Sequence, residues 1–349
     1  MAVLKETTML EGKQLILATK EFTTENRAKS WYVLISTLLL LIAGFTGTII
    51  VPNVFLKIAF SLVTSLLLVR MFIIYHDYQH HTILHRSTVA NVIMSIFGVI
   101  ILAPPSIWKR SHDYHHANNS KLFSASIGSY PIASKQKFLA MSPGERRIYL
   151  AIRHPLTIVM GYLSMFIIGM CLSSFISSPR KHIDSLVALI VHALIIATVI
   201  VFFGWQVWFF AIMVPFFIAS AMGAYLFYAQ HNFPSTTFND NKDWKYEVAA
   251  LESSSYMVMN PVMEWFTGNI GYHHIHHLNA RIPFYRLPEA MKAIPELQNA
   301  RTTSLHPKDI IACFRLKVWD PELGRMVGFK EIKSSARAAT KKTAATARS

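Results

Sequence analysis

The sequence predicts an all-α integral membrane protein, and three observations carry that expectation. Hydrophobic residues make up 52% of the 349 residues and charged residues only 15%, which is too apolar for a soluble chain of this size. Several uncharged apolar runs reach the roughly 20 residues that a spanning helix needs. Two cysteines, Cys171 and Cys313, stand far apart in unlike surroundings, so neither a disulfide framework nor a Cys-rich metal site competes with the membrane reading.

Residues 1–30 carry mixed charges, among them Lys5, Glu6, Lys20, Glu25 and Arg27, with no short apolar core before a small-residue cleavage site. A cytoplasmic N-terminal segment is expected there rather than a cleaved signal peptide. The run 31–51 is a first span. A second, from about 58 to 75, leads straight into His76, and its single charge, Arg70, is close enough to that end to snorkel toward the headgroups. The shorter stretch 89–103 ends at Pro104-Pro105 and reads as interfacial or re-entrant. The stretch 156–176 is a third long run, and 184–229 is almost continuously apolar, with Gly204, Trp205 and Trp208 marking a break.

If His231 and the later histidines share a face with His76, an even number of crossings separates His116 from His231. Three apolar candidates occupy that interval, so one of them is partial or two share a crossing. About four transmembrane helices plus one or two half-inserted segments follow, with residues 31–330 forming a single membrane domain and its cytoplasmic cap. Residues 331–349 read as a basic, disordered tail. The net charge of +15 fits loops facing an anionic cytoplasmic leaflet better than it fits nucleic acid. Lys135, Lys137, Arg146, Arg147 and Arg153 make the loop on the histidine side basic. The active face and both termini are therefore expected on the cytoplasmic side of a bacterial inner membrane or endoplasmic reticulum.

Histidine is the conspicuous excess, with 16 residues that fall mostly into clusters. Residues three and four apart share a helix face. His76 and His80 therefore point together, as do His112, His115 and His116, and His273, His276 and His277. His231 stands alone at a helix end. One zinc ion takes about four ligands, so eight or nine convergent imidazoles match a dinuclear site. Imidazole suits iron, copper, zinc and nickel alike. Haem fits poorly, since it needs one or two axial histidines. His81 and His274 lie about 100° around the helix from the ligand face, and His85 shares the face of His81. His154, His182 and His306 read as surface or interfacial residues, and His192 as a hydrogen-bonded structural one.

The segments HDYQHHTILH, SHDYHHANNS and YHHIHHLNARIP resemble the three histidine boxes of integral-membrane fatty-acid desaturases. The flanks QHNFPSTTF and AALESSSYMVMNPVMEWFTGNIGYHHIHHLNARIPFYRLPEA are similar to the acyl-lipid, Δ12-type branch, and the likeness runs from about Ser30 to Pro295. The resemblance implies two non-haem iron ions, molecular oxygen as co-substrate and an acyl chain, favoured as lipid-linked, that gains a cis double bond. It carries over His76 and His80, then His112, His115 and His116, then His273, His276 and His277 as metal ligands. His231 matches the additional ligand position between the second and third boxes. The nearest rival keeps the metal and changes the outcome, to hydroxylation or ketolation of a lipid or carotenoid.

Metal-bound histidines usually donate their second N–H to a carboxylate or carbonyl, which makes Asp77, Asp113, Asn118 or Asn119, Glu252, Glu264 and Asn269 candidates for that support. Trp108, Lys109, Arg110, Arg281 and Tyr285 read as headgroup contacts or interfacial anchors. Neither Arg153-His154-Pro155 nor His306-Pro307 continues into His-Pro-Gly-Gly, and no flavin or dinucleotide fingerprint occurs. A separate electron donor, ferredoxin or cytochrome b5, is implied, with Arg146 and Arg147 placed to attract an acidic carrier.

Overall fold

The computed structural model describes residues 10–122, 129–239 and 242–332. The expected basic tail therefore lies, from residue 333 onward, outside the described residues. Helix α1 (Gly12–Ala18) leads to α2 (Arg27–Ile50). Asn53 then caps α3 (Val54–Gln79) by accepting the backbone N–H groups of Phe55 and Leu56. Both α2 and α3 are long and apolar enough to cross a bilayer. They pack closely because small residues line their contact: a Cβ on Gly47 would stand 2.6 Å from the Phe60 ring.

Helices α4 (Thr88–Ile100) and α5 (Pro105–Asn118) meet at 90°. Pro104 and Pro105 stop the first helix and start the second, since proline lacks the N–H that would continue α4 and suits the first turn of α5. The 89–103 run is thus half of a bent pair. Three short helices follow, α6 (Lys135–Ala140), α7 (Pro143–Ile152) and α8 (Pro155–Val159). The 156–176 run departs from expectation. It breaks after α8, continues as a π-helix over Tyr162–Ser173, and ends in α9 (Ser174–Ser177). From Tyr162 to Ser177 it is shorter than a crossing needs.

Helices α10 (Ile183–Trp208) and α11 (Val214–Ala229) belong to one helical stretch of 47 residues. Run straight, it would extend about 70 Å, more than twice the hydrocarbon thickness. It does not run straight. Gly204 takes φ 83° and ψ 164°, a conformation that favours glycine, and the chain turns back on itself there. His192 and Phe216 stand twelve residues either side of Gly204, and their ring centroids are 5.2 Å apart. The break expected around Gly204 is a hairpin between two membrane legs.

The remaining elements follow α11 in the chain: α12 (Tyr246–Glu252), α13 (Pro261–Phe266), which packs on α3, α14 (His273–Leu278), α15 (Leu287–Ala293), α16 (Pro295–Gln298) and α17 (Pro307–Arg315), with two small sheets. Strand β1 (Tyr256–Val258) pairs in parallel with β2 (Thr302–Ser304), and β3 (Val318–Asp320) pairs antiparallel with β4 (Arg325–Val327). The N-terminal segment is tied to this part of the chain. The Tyr285 hydroxyl accepts the backbone N–H of Asn26 at 3.0 Å and lies 3.0 Å from Ser30 Oγ.

Four expectations about single residues are corrected. Arg70 does not snorkel. It is 5% exposed, donates to Thr37 Oγ1 at 3.2 Å and to the Trp265 carbonyl, and lies 4.0 Å over the Trp265 ring. Helix α13 folds over the end of α3 and supplies the charge with protein partners. His182 is buried rather than at the surface, 2.8 Å from Ser106 Oγ. Arg153 adds nothing to a basic loop surface, because it is fully buried and donates to the Asn232 side chain and to the Pro131 carbonyl. Tyr285, expected as a headgroup contact or interfacial anchor, is buried and serves as the tie just described.

Candidate metal centre

The last turn of α3 carries His76, and the chain leaves that helix through His80. Helix α5 presents His112, His115 and His116, and α14 presents His273, His276 and His277. His231 follows α11 directly. These nine rings fall into two groups. His76, His80, His112, His116 and His276 form one, and His115, His231, His273 and His277 form the other. Within each group one ring nitrogen per residue lies within 4.8 Å of all the others. The groups adjoin, since the His116 and His277 rings stack with centroids 4.2 Å apart. Each helical triplet is split between the two groups.

The close contacts run between Nε2 atoms. His76 faces His112 at 2.9 Å, His112 faces His116 at 3.1 Å, and His116 faces His276 at 3.0 Å. In the second group the contacts close a ring: His115 to His231 at 3.0 Å, His231 to His273 at 2.9 Å, His273 to His277 at 3.2 Å, and His277 to His115 at 3.2 Å.

Neutral rings leave nitrogen lone pairs inside such an array. Burial holds the pKa of His231 down at about 4 and pushes those of His80, His273, His276 and His277 well below the ordinary histidine value, with neighbouring rings adding to the effect in these four. Neutral rings carry one N–H each. His76 donates its Nδ1–H to Asp77 Oδ1 at 3.0 Å, and His231 donates its Nδ1–H to the Ser253 carbonyl at 3.0 Å. Both therefore turn an Nε2 lone pair toward other nitrogens. His80 Nε2 is buried with no hydrogen-bond partner. Converging lone pairs repel unless a cation lies between them. Nitrogens at the usual metal distance of about 2.1 Å stand about 3 Å apart when at right angles, which matches the separations here. The residues fit a metal ion in each group.

Other histidines point elsewhere. His81 sits at φ 60° with its ring 4.7 Å from His85, outside both groups. His274 donates from Nε2 to the Leu297 carbonyl at 3.1 Å. His192 bonds the Tyr162 hydroxyl, while His154 and His306 accept the N–H groups of Leu156 and Lys308 at helix starts.

Of the candidate supports, Asp77 alone hydrogen-bonds a ring of either group. Asp113 pairs with Lys109, Glu252 with Arg301, and Asn119 bonds the Ala249 carbonyl and Ser254. Asn118 donates to the Tyr114 carbonyl, Asn269 to the Phe284 carbonyl, and Glu264 accepts from Tyr272. Two supports escaped sequence reasoning. A backbone carbonyl such as that of Ser253 leaves no mark in the residue pattern. Trp108 was read as an interfacial residue, yet it is buried and stacks on His112 at 4.5 Å. Its position four residues before His112 on a helix was the available signal.

A cavity of about 520 Å³ opens against His76, His112 and His273 and extends between the membrane helices past Phe72 to Leu68 and Gly169. From His76 to Leu68 that is about 12 Å along α3. Its walls are mainly apolar.

The family model for fatty acid desaturases matches residues 52–307. A fatty acid desaturase of Bacillus subtilis (strain 168) is 29% identical over 279 residues, covering 80% of this chain and 79% of the relative. An sn-1 oleoyl-lipid 12-desaturase of Synechocystis sp. is 24% identical over 279 residues, covering 79% of each chain. An sn-1 acyl-lipid omega-3 desaturase (ferredoxin) of the same organism is 27% identical, covering 73% of this chain and 72% of the relative. With a match across most of its length and two histidine groups able to hold metal, the chain belongs to the fatty acid desaturase family, whose members are oxidoreductases.

Proposed function

We propose that this protein inserts a cis double bond into a lipid-linked acyl chain at the expense of molecular oxygen, with two non-haem iron ions bound by the nine histidines. The observation that carries the reading is the junction of two histidine groups with one apolar cavity. Iron bound there would activate molecular oxygen, the oxidant needed to take hydrogen from an unactivated methylene, which no amino-acid side chain provides. One oxygen molecule, two hydrogens from adjacent carbons, two electrons and two protons give two waters and the alkene.

The protein's own residues prepare the site. Asp77 and the Ser253 carbonyl hold His76 and His231 in the tautomer that turns Nε2 inward. Trp108 lies flat on His112 and edge-on to His76, which fixes both ring planes. Phe72 and Phe166 meet edge to face at 6.3 Å in the cavity wall and keep water from the reacting methylenes. The apolar volume orders an acyl chain alongside the inward nitrogens.

The relatives named as oleoyl-lipid and acyl-lipid desaturases support a glycerolipid-linked substrate, and the one named with ferredoxin supports a separate one-electron carrier, ferredoxin or cytochrome b5. Exposed Arg147 would help steer an acidic carrier, with the metal groups and both termini on the cytoplasmic face. Expression in a host lacking polyunsaturated lipids, followed by gas chromatography of total acyl chains and iron analysis of the purified protein, tests the reading. A new alkene and about two irons per chain are expected from the split of the rings between two groups, and both are expected to disappear in His276→Ala. An alcohol or ketone product without a new double bond would move the protein to the hydroxylase or ketolase reading.

A further inference from the structure

We infer that Gly223 of α11 determines how long an acyl chain the cavity accepts. The inference rests on the acyl-chain reading of that cavity and goes beyond it by assigning selectivity to one position.

Ser220, Gly223, Leu226, Phe227 and Gln230 all line the cavity. Their spacing of three and four residues makes them a single stripe along α11. Its side chains are large next to His231 and small deeper in the membrane, and Gly223 is where the change occurs. Glycine weakens a helix interior relative to alanine, so a membrane-leg glycine normally has a packing reason. Gly161 has one, because a Cβ there would stand 2.9 Å from the Ala224 Cβ and 2.9 Å from the Ser220 carbonyl oxygen. Gly98 has one too, with the Tyr75 hydroxyl 2.8 Å away.

Gly223 has none. Apart from its chain neighbours and the surrounding backbone of its own helix, no atom lies within 4 Å of the position its Cβ would take. Among the described residues Gly144, Gly204 and Gly324 are equally open, but none of them lines the cavity, and the last two have positive φ. The space beside Gly223 therefore belongs to the cavity. Gly223 precedes His231 by eight residues, about 12 Å along the helix. A side chain here would intrude on the part of the acyl chain beyond the reacting carbons and reach none of the nine histidines.

The series Gly223→Ala, Gly223→Val and Gly223→Leu tests this in the full-length protein, expressed in membranes supplied with myristoyl, palmitoyl and stearoyl chains. Products are quantified by gas chromatography. The ratio of shorter-chain to longer-chain product is expected to climb through the series, reaching roughly 10-fold or more in the Leu variant, the scale set by one methylene in an apolar pocket. Iron content and thermal melting are followed in parallel. Unchanged ratios in variants that fold and hold iron overturn the inference, and so does an equal loss of product from every chain length. Should the Leu variant fail to fold, unchanged ratios in the Ala and Val variants overturn it equally. A wild-type protein that desaturates none of these chains, and no palmitoleoyl or oleoyl chain supplied beside them, removes the acyl reading itself, and the role of Gly223 falls with it.

Discussion

His76 donates its Nδ1–H to Asp77 Oδ1 at 3.0 Å, and both side chains are almost fully buried. The other carboxylate oxygen, Oδ2, accepts the Phe284 backbone N–H at 2.6 Å. One acidic residue thus sets the tautomer of a ring in the first histidine box and anchors the segment that follows the third. Asp77→Ala is expected to lower metal affinity about 10- to 100-fold, the usual effect of removing a partner of a metal-bound histidine. Iron titration of the purified variant measures it, and wild-type affinity would refute the role.

Adjacent histidines are expected to behave oppositely. His80 belongs to the five-ring group and has a buried, unpartnered Nε2, whereas His81 turns away at positive φ toward His85. His80→Ala should lose bound iron and product, while His81→Ala should keep both. Iron analysis and product chromatography on the two variants decide the matter. Loss of iron in His81→Ala would place that ring among the ligands.

Asp184 braces the helix that carries the second histidine box. Its Oδ2 accepts the Ser106 N–H at 3.0 Å and its Oδ1 accepts the Ser106 hydroxyl at 2.6 Å, which satisfies donors in the first turn of α5. Asp184→Ala is expected to cost about 1–2 kcal/mol, as other lost N-terminal caps do. A fall in thermal midpoint in detergent should accompany a lower iron content. A variant with unchanged melting would show that α5 is held by packing alone.

Lys317 provides a pH-dependent test. Burial, with Arg153 adding to it, holds its pKa down at about 8, against about 10.5 for an exposed lysine. Below pH 8 both the folded and unfolded states hold the proton, and the folded state bears the full burden of a buried charge. Between pH 8 and 10.5 the folded state releases the proton first, so stability from this residue rises with pH. The thermal midpoint of Lys317→Met should therefore exceed that of the wild type by more at pH 7 than at pH 10. A difference that does not change with pH would mean that Lys317 titrates normally.

The separate histidine triplets were legible because helical periodicity is a local property of the chain. His112, His115 and His116 share one face of α5 whatever surrounds it. The same periodicity turned His81 and His274 outward, and His274 indeed bonds Leu297. Length and composition located the membrane legs, and a glycine between two apolar runs marked the hairpin. Arg70, His182 and Trp108 were misread for a common reason. Each is an amphipathic or polar residue near a helix end, and whether its partner is solvent or protein depends on what folds over that end.

The sequence by itself determined the helices, the faces that the histidines share, and the supply of more imidazoles than one ion needs. Tertiary structure alone decided how those imidazoles divide. His116 joins His276, its neighbour His115 joins His231 and His277, and residues 160 or more positions apart come within 3.2 Å. No local rule contains that division. It depends on α3, α5, α11 and α14 arriving at one end of the bundle with their relative rotations fixed by packing and by bonds such as those of Asp77 and Asp184.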